Sequence, residues 1–262
     1  MPFTEMIGIA GAGKVGAQAA LEIASMGLDD LKLVDIVPGL AEGEALDISH
    51  RLSDAGVDVD VSGSEDFSTL KDSKLVIIAA GLGRKPGMTR MDLLSKNSGI
   101  IASVTKEVAK HAPDSVILMV TNPMDAMTYV ALKASGFPKH RVVGQGGVLD
   151  NSRFKYVLAK KLNVSRASIT SLVMGEHGEN MIPVASHTYV GGFPLVDLLS
   201  EEEIQQAIDD TRKVAAEVIS KKGATIFAPG RSVARMAKAI ADDTKEVMGA
   251  SAFLEGEYGV NG

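Results

Sequence analysis

The sequence predicts an α/β fold in which a doubly wound parallel sheet is followed by a smaller α+β domain. Apolar β-type runs alternate with longer amphipathic stretches from residue 1 to about 144, which is typical of a parallel sheet covered by helices. After residue 145 the order of strands and helices becomes mixed. We therefore predict two domains, residues 1–144 and 145–262.

The first domain is predicted to contain six strands, which suit a complete doubly wound unit. The apolar runs lie at 7–10, 31–34, 57–61, 75–79, 116–120 and 141–143. Helical periodicity bounded by proline and glycine predicts helices at 15–24, 39–52, 92–111 and 124–135.

The second domain is predicted to combine long helices with a few strands. Helical patterns lie at 149–162, 201–222 and 231–242, and strand patterns lie at 169–174 and 184–190. Ser200 with Glu203 predicts a capping box at the start of the helix 201–222.

Composition excludes several classes of function. The chain has 27 Lys and Arg against 33 Asp and Glu, and a net charge of −6 argues against a general nucleic-acid surface. It has no Cys and no apolar run of about eighteen residues, so we expect a soluble cytoplasmic protein without a membrane span. No His, Asp or Glu cluster has metal-ligand spacing, and we expect no metal site.

A glycine-rich turn follows the first predicted strand, with glycines at 11, 13 and 16. Gly11 permits a tight turn, Gly13 lets the main chain approach a pyrophosphate, and Gly16 allows close packing of helix on strand. Phosphates would bind at the helix N-terminus, where unpaired N–H groups and the helix dipole favour an anion. The spacing predicts a dinucleotide-binding turn.

Asp35 follows the second predicted strand, nineteen residues beyond Gly16. An acid at this position can accept hydrogen bonds from both ribose hydroxyls and would repel a 2′-phosphate, which favours NAD over NADP. The alternative is an ordinary glycine-rich turn with a solvated aspartate nearby.

Polar residues follow the fourth and fifth predicted strands, at the edge where ligands bind in open α/β sheets. Arg84 and Arg90 lie in a glycine-rich segment that we expect to close over an anionic substrate; alternatively, they only solvate a surface loop. Asn122 offers a donor and an acceptor at the same edge, or belongs simply to an Asn-Pro turn.

Three residues of the second domain have the chemistry of a proton-transfer site. Asp150 and Arg153 are three residues apart on a predicted helix, so their side chains project from one face. They form either an ordinary ion pair or a site in which the acid orients a base and Arg153 grips a carboxylate. His177, in Gly-Glu-His-Gly, can exchange a proton near neutrality, and Asp150 is its candidate partner.

Together these motifs resemble those of the lactate/malate dehydrogenase family, and most closely its lactate-dehydrogenase-like malate dehydrogenases. The matching motifs are Gly-Ala-Gly-Lys-Val-Gly with Asp35, Arg-Lys-Pro-Gly-Met-Thr-Arg at 84–90, Thr-Asn-Pro-Met-Asp at 121, Leu-Asp-x-x-Arg-Phe at 149 and Gly-Glu-His-Gly at 175. They fall in family order and spacing over the whole chain. The implied fold is a Rossmann NAD-binding domain followed by a substrate domain.

The resemblance implies a role for each site residue. It makes His177 the proton donor and acceptor, Asp150 its partner, and Arg153 the ligand of the C1 carboxylate. Arg90 would polarise the ketone oxygen, and Asn122 would contact substrate and the nicotinamide ribose. Thr225 matches a position lining the substrate pocket. The implied cofactor-binding residues are Gly11, Ala12, Gly13, Lys14, Val15, Gly16, Asp35, Ala80, Gly81, Asn97, Val120 and Asn122.

Arg84 occupies the family's specificity position and can neutralise a second carboxylate, as in oxaloacetate or malate. A buried unpaired guanidinium would disfavour pyruvate. We therefore expect an NAD-dependent malate dehydrogenase. The alternatives are a lactate or other 2-hydroxyacid dehydrogenase and, in another class, an inactive NAD-binding fragment or assembly module.

The chain ends where family members usually continue through further strands and a C-terminal helix, so the second domain is expected to be C-terminally shortened. The apolar run 247–254 would then be an unpaired strand that a partner subunit covers. By resemblance we expect a homodimer or homotetramer.

Overall fold

The computed structural model describes residues 6–83 and 89–261, with the main chain alone for Arg90. The chain divides into two compact units. The first runs to Gln145 and also includes Pro229–Glu246 and the segment from Ala252 onward. The second contains Gly146–Ala228 and Val247–Ser251. The domain boundary after residue 144 stays a prediction.

The first unit is built on a six-stranded sheet whose neighbouring strands are all parallel. The strands are β1 (Met6–Ala10), β2 (Asp30–Val34), β3 (Val61–Ser64), β4 (Ser73–Ile78), β5 (Val116–Met119) and β6 (Val142–Gly144). They lie in the order β3-β2-β1-β4-β5-β6, so the winding reverses between β1 and β4. The predicted doubly wound sheet is confirmed, and its carboxyl edge at this reversal is the expected ligand site.

Four helices connect these strands. They are α1 (Lys14–Ser25), α2 (Leu40–Ala55), α3 (Arg90–His111) and α4 (Met124–Ser135). Ile9 is paired with Leu33 on one side and Ile77 on the other, and all three side chains are buried. Burial along whole strands is expected when helices cover both faces of a parallel sheet.

One face of the sheet forms a continuous core with α3 and α4. Val76 and Ile117 of the strands belong to the same buried cluster as Ile101 of α3 and Met127 of α4. α3 begins with a capping box, in which the Thr89 hydroxyl accepts the Asp92 N–H at 3.0 Å. This cap fixes the start of α3 at Arg90.

The second unit contains two small antiparallel sheets and three helices. Its elements are α5 (Gly147–Leu162), β7 (Ile169–Thr170), β8 (Val173–Gly175), β9 (Met181–Pro183), β10 (Tyr189–Val190), β11 (Phe193–Pro194), α6 (Leu195–Leu198) and α7 (Glu201–Lys222). A final helix, α8 (Phe227–Ala241), follows. Phe154 and Leu158 of α5 are fully buried in a core with Val173 and Ile204. The predicted capping box of Ser200 and Glu203 is confirmed at the start of α7.

The predicted strand at 57–61 is wrong, because the ladder with β2 begins only at Val61. β3 contains Ser62, Gly63 and Ser64, which are weak strand formers. The packing of α2 explains this choice, since a Cβ on Gly63 would lie 2.1 Å from the carbonyl carbon of Ala41. α2 therefore packs directly on the main chain of β3.

Two strands predicted in the second unit are also wrong in extent. The run 169–174 is divided into β7 and β8, which belong to different sheets. Of the run 184–190, only β10 is a strand, and Ala185–His187 is a 3-10 turn. The hydroxyl of Thr188 donates to the Val184 carbonyl at 2.9 Å and closes this turn.

The end of the chain corrects two further predictions. The run 247–254 forms no strand. Instead, its main chain passes close to that of β8, since a Cβ on Gly249 would lie 2.4 Å from the Val173 carbonyl oxygen. α8 begins at Phe227 rather than 231, and Pro229 is tolerated in its first turn because a missing N–H there costs no helical hydrogen bond.

No helix in the described part of the chain is long and apolar enough to cross a membrane. Among the same residues, no group of three or more His, Asp or Glu side chains could hold a metal ion. The absence of a metal site stays a prediction.

We expect Gly63→Ala to destabilise the protein by about 2 kcal/mol or more, because α2 must move away from β3 to admit the methyl group. Thermal and urea unfolding measure the change. The control is Gly99→Ala, on the exposed face of α3, where an added Cβ meets no atom within 4 Å. The control should stabilise by about 0.5–1 kcal/mol. Equal effects of the two changes would contradict the packing argument.

Candidate active site

The glycine-rich turn lies at the carboxyl end of β1, where its main chain approaches two neighbours closely. Gly11 has φ of +104°, and a Cβ there would lie 2.4 Å from the Ala80 nitrogen. A Cβ on Gly16 would lie 1.9 Å from the Gly11 carbonyl oxygen. Both positions therefore require glycine. The absence of a side chain at these positions allows the start of α1 to lie against the end of β1, and the glycine turn to lie against the segment after β4.

The N-terminus of α1 offers a site for an anion. Gly13 is its N-cap, and a Cβ there would meet no atom within 4 Å. Since glycine brings no capping side chain, the first N–H groups of α1 are left to a ligand. The first helical residues are Lys14, Val15 and Gly16, and Ala12 is buried just before them.

Asp35 stands directly after β2 and connects its own loop to the glycine-rich turn. Its Oδ2 accepts the Ala12 N–H at 2.8 Å, and its Oδ1 accepts the Val37 N–H at 3.0 Å. Each carboxylate oxygen keeps a further lone pair for a ligand hydroxyl. These residues fit NAD, because an anion-binding helix N-terminus without a capping side chain lies beside an acid able to accept ribose hydroxyls.

The segments after β4 and β5 are connected by side chains. The hydroxyl of Thr121 donates to the Ala80 carbonyl at 2.6 Å. The Nδ2 of Asn97, on α3, donates to the carbonyl of Asn122 at 2.6 Å and to that of Leu82 at 3.2 Å. The exposed side chain of Asn122 and the expected cofactor positions Gly81 and Val120 lie in these two segments.

The described residues include only part of the glycine-rich segment that carries the two arginines. Arg84 lies outside the described residues, and Arg90 is placed by its main chain as the first residue of α3. The roles implied for these two side chains therefore stay predictions.

Asp150, Arg153 and His177 are brought together in the second unit. The Asp150 side chain is 1% exposed; its Oδ1 accepts from Arg153 Nη1 at 3.0 Å, and its Oδ2 lies 2.7 Å from His177 Nδ1. Because an ionised carboxylate only accepts hydrogen bonds, the Nδ1 carries a hydrogen in this pairing. The arrangement combines a carboxylate-binding group with a group that can exchange a proton.

The Arg153 guanidinium is largely buried beside Asp150. Burial lowers the pKa of the Arg153 guanidinium, and the neighbouring charge of Asp150 opposes that shift. Arginine stays protonated at any working pH, so a cation remains beside Asp150. A buried carboxylate without such partners would cost several kcal/mol.

Two elements position these groups. Asp150 and Arg153 lie on α5, and His177 lies in the loop that joins β8 to β9. Asn151, next to Asp150, donates to the Ser171 carbonyl at 2.9 Å and accepts the Ser171 hydroxyl at 2.6 Å. This connection between α5 and the chain entering β8 is absent from the sequence-based prediction. No local pattern signals it, since the two residues are far apart in sequence.

The remaining expected substrate residue, Thr225, lies in the short loop between α7 and α8 and is half-buried. It lies outside both helices, so it is not a helix residue bonded to its own main chain. Its implied role in lining the substrate pocket stays a prediction.

Comparison with known proteins gives two family matches. Residues 5–144 match the model described as lactate/malate dehydrogenase, NAD binding domain. Residues 147–262 match lactate/malate dehydrogenase, alpha/beta C-terminal domain. The chain thus carries the family's NAD-binding domain, and NAD is the implied cofactor.

Relatives are similar over almost the whole chain. Malate dehydrogenase of Thermoproteus tenax is 49% identical over 259 residues, 98% of this chain and 84% of the relative. Malate dehydrogenase of Pyrobaculum aerophilum is 48% identical, over 97% of this chain and 83% of the relative.

Solved structures agree. The apo malate dehydrogenase of Picrophilus torridus is 41% identical with a TM-score of 0.93, over 97% of this chain and 81% of that one. A Cryptosporidium parvum lactate dehydrogenase, complexed with lactic acid and NAD, is 35% identical with a TM-score of 0.95, over 100% of this chain and 85% of that one. These matches show that the chain belongs to the lactate/malate dehydrogenase family.

Proposed function

We propose that this chain is an NAD-dependent malate dehydrogenase, which interconverts malate and oxaloacetate. The observation that carries the proposal is the buried carboxylate of Asp150, which contacts both His177 and Arg153. Relatives named malate dehydrogenase, at 48–49% identity, support the choice of substrate.

Arg153 binds the C1 carboxylate of the substrate. Its contact with Asp150 uses Nη1, and a guanidinium has five N–H donors in a fixed fork that suits bidentate binding of a carboxylate. Asp150 holds this side chain in place from the buried side. The result is a fixed orientation of the 2-hydroxy or 2-keto acid.

His177 donates a proton to the ketone oxygen during reduction and takes it back during oxidation. Asp150 keeps a hydrogen on Nδ1, so the proton is exchanged at Nε2. The carboxylate lies 2.7 Å from this ring, so its negative charge faces the proton that His177 carries during the reaction. The nicotinamide of NAD, when bound, supplies or accepts the hydride.

The groups of the first unit bind the cofactor. The N-terminus of α1 takes the pyrophosphate and Asp35 takes the ribose hydroxyls, which selects NAD over NADP. Asn122 contacts substrate and the nicotinamide ribose. Arg90 stabilises the developing oxyanion, and Arg84 neutralises the distal carboxylate of oxaloacetate.

The second candidate is a lactate or other 2-hydroxyacid dehydrogenase, and the similarity to a lactate dehydrogenase supports it. Arg84 favours malate, because pyruvate has no second carboxylate to pair with it. The remaining alternative, an inactive NAD-binding or assembly module, predicts NADH binding without turnover. Assembly as a homodimer or homotetramer and a cytoplasmic location belong to the proposal.

We expect the purified protein to oxidise NADH with oxaloacetate at least about 100-fold more efficiently than with pyruvate, because pyruvate leaves the Arg84 charge unmatched. Absorbance of NADH measures both rates. Arg84→Gln should shift the preference towards pyruvate, while Arg51→Gln, on the exposed face of α2, should leave it unchanged. Bound NADH without turnover on either acid would contradict the proposal.

His177→Asn should lower kcat by about 10²- to 10⁴-fold, because the group that transfers the proton is lost. The dissociation constant of NADH should change by less than about twofold. His187→Asn, at an exposed histidine of the same unit, is the matched control and should retain activity. Parallel losses of turnover and NADH binding would show that His177 is not the proton donor.

Asp35→Asn should improve NADPH binding relative to NADH by about 10- to 100-fold, because it removes the charge that repels the 2′-phosphate. Binding titrations with both cofactors measure the ratio. Asp47→Asn, on the exposed face of α2, changes the net charge equally and should leave the ratio unaltered. An unaltered ratio in Asp35→Asn would remove Asp35 from cofactor selection.

A further inference from the structure

Asn97 is a fully buried polar residue in the second turn of α3, with a relative exposure of 0%. A buried amide must find hydrogen-bond partners inside the protein. The partners of Asn97 are main-chain groups in both segments at the carboxyl edge of β4 and β5. Its partners therefore determine what this side chain does.

Three hydrogen bonds use most of the hydrogen-bonding capacity of the Asn97 side-chain amide. The Oδ1 accepts the Leu82 N–H at 2.9 Å, while the Nδ2 donates to the carbonyls of Leu82 at 3.2 Å and Asn122 at 2.6 Å. Both amide hydrogens are thereby committed. The main chain of Gly81 passes close to the acceptor, since a Cβ added there would lie 3.2 Å from Oδ1. A fully buried side chain with these partners has no atom to offer a cofactor.

The position of these bonds is informative. β4 ends at Ile78 and β5 at Met119, and the Val120 N–H donates once more to the Ile78 carbonyl at 2.9 Å. Beyond that point the Thr121 hydroxyl and then the Asn97 amide connect the two diverging segments. Asn97 also bonds both main-chain groups of Leu82, as a neighbouring strand would.

We propose that Asn97 is a positioning residue that holds the segments after β4 and β5 in one arrangement, rather than a ligand of the cofactor as the family resemblance implies. This inference rests on the proposed function, in which Asn122 contacts the substrate and the nicotinamide ribose. Asn97 donates a hydrogen bond to the main-chain carbonyl of Asn122. The exposed side chain of Asn122 stays available to contact a ligand. Asn97 thereby sets the point from which that side chain reaches the reacting groups.

The first test measures the connection without any ligand. In Asn97→Ala, the amide hydrogen of Leu82 should exchange with solvent at least about tenfold faster, because its acceptor is lost. The control is Thr105→Ala, which also truncates a fully buried side chain of α3 and should leave Leu82 exchange unchanged. Unchanged exchange in Asn97→Ala would overturn the inference, whatever the activity.

The second test separates positioning from cofactor binding. Asn97→Ala should lower kcat about 10- to 100-fold at saturating NADH, because a displacement near 1 Å is enough to misalign reacting groups. The dissociation constant of NADH should change less than about threefold. A direct ligand would give the opposite pattern, with weakened NADH binding and a kcat that recovers at saturation. Asn97→Asp keeps the shape but lacks both donors, so a kcat equal to wild type in that variant would also overturn the inference.

A double-mutant cycle tests whether Asn97 acts through Asn122. The effect of Asn97→Ala on kcat should largely disappear in the Asn122→Ala background, whereas effects of independent sites add. Full additivity would contradict the proposed route. Turnover of oxaloacetate by the unaltered protein tests the proposed function separately. If the wild-type protein is inactive but Leu82 exchanges faster in Asn97→Ala, the proposed function is rejected, whereas the positioning role of Asn97 still stands.

Discussion

The proposed chemistry of this protein depends on one buried carboxylate. Asp150 is 1% exposed, and two cationic or titrating groups on different elements satisfy its two oxygens. A carboxylate at this depth is stable only with such partners, and loss of one typically costs about 3–5 kcal/mol. In the second unit, the loop between β8 and β9 brings His177 to Asp150 on α5. The hydrogen bonds between Asn151 and Ser171 connect that helix to the chain entering the histidine hairpin.

The first unit meets a different constraint, the close approach of main chain to main chain. Glycines at 11, 16 and 63 stand where a Cβ would lie within 2.4 Å of a neighbouring main-chain atom. These approaches bring the glycine turn to the end of β4 and α2 onto β3. Because the side chains at this edge are small, hydrogen bonds to the Asp35 carboxylate and with the Asn97 amide fix the segments that would otherwise diverge. Rigid placement of small groups suits a surface that must bind an extended dinucleotide.

Prediction from sequence succeeded where the signal was local. β1, β4 and β5 lie on mostly apolar runs and were predicted to within two residues, and α4 and α7 were predicted with the bounds they have. The position of β3 was predicted wrongly because its serines and glycine have low strand propensity. These small residues instead allow α2 to pack closely on the strand. The run 184–190 was misassigned because a side-chain hydrogen bond from Thr188 closes a turn within it.

The sequence by itself determined the fold class, the helices with clear caps and the positions of the motifs, because these depend on periodicity and neighbouring residues. Tertiary structure decided which of those residues meet. Asp150 and His177 are 27 positions apart, and their contact exists only because a hairpin returns to α5. The family resemblance implies that Asn97 binds the cofactor, whereas its hydrogen-bond partners in the structure, 15 and 25 positions away, could not be predicted from the sequence. Such partners are set by how the sheet brings separate loops to one edge, which no local pattern encodes.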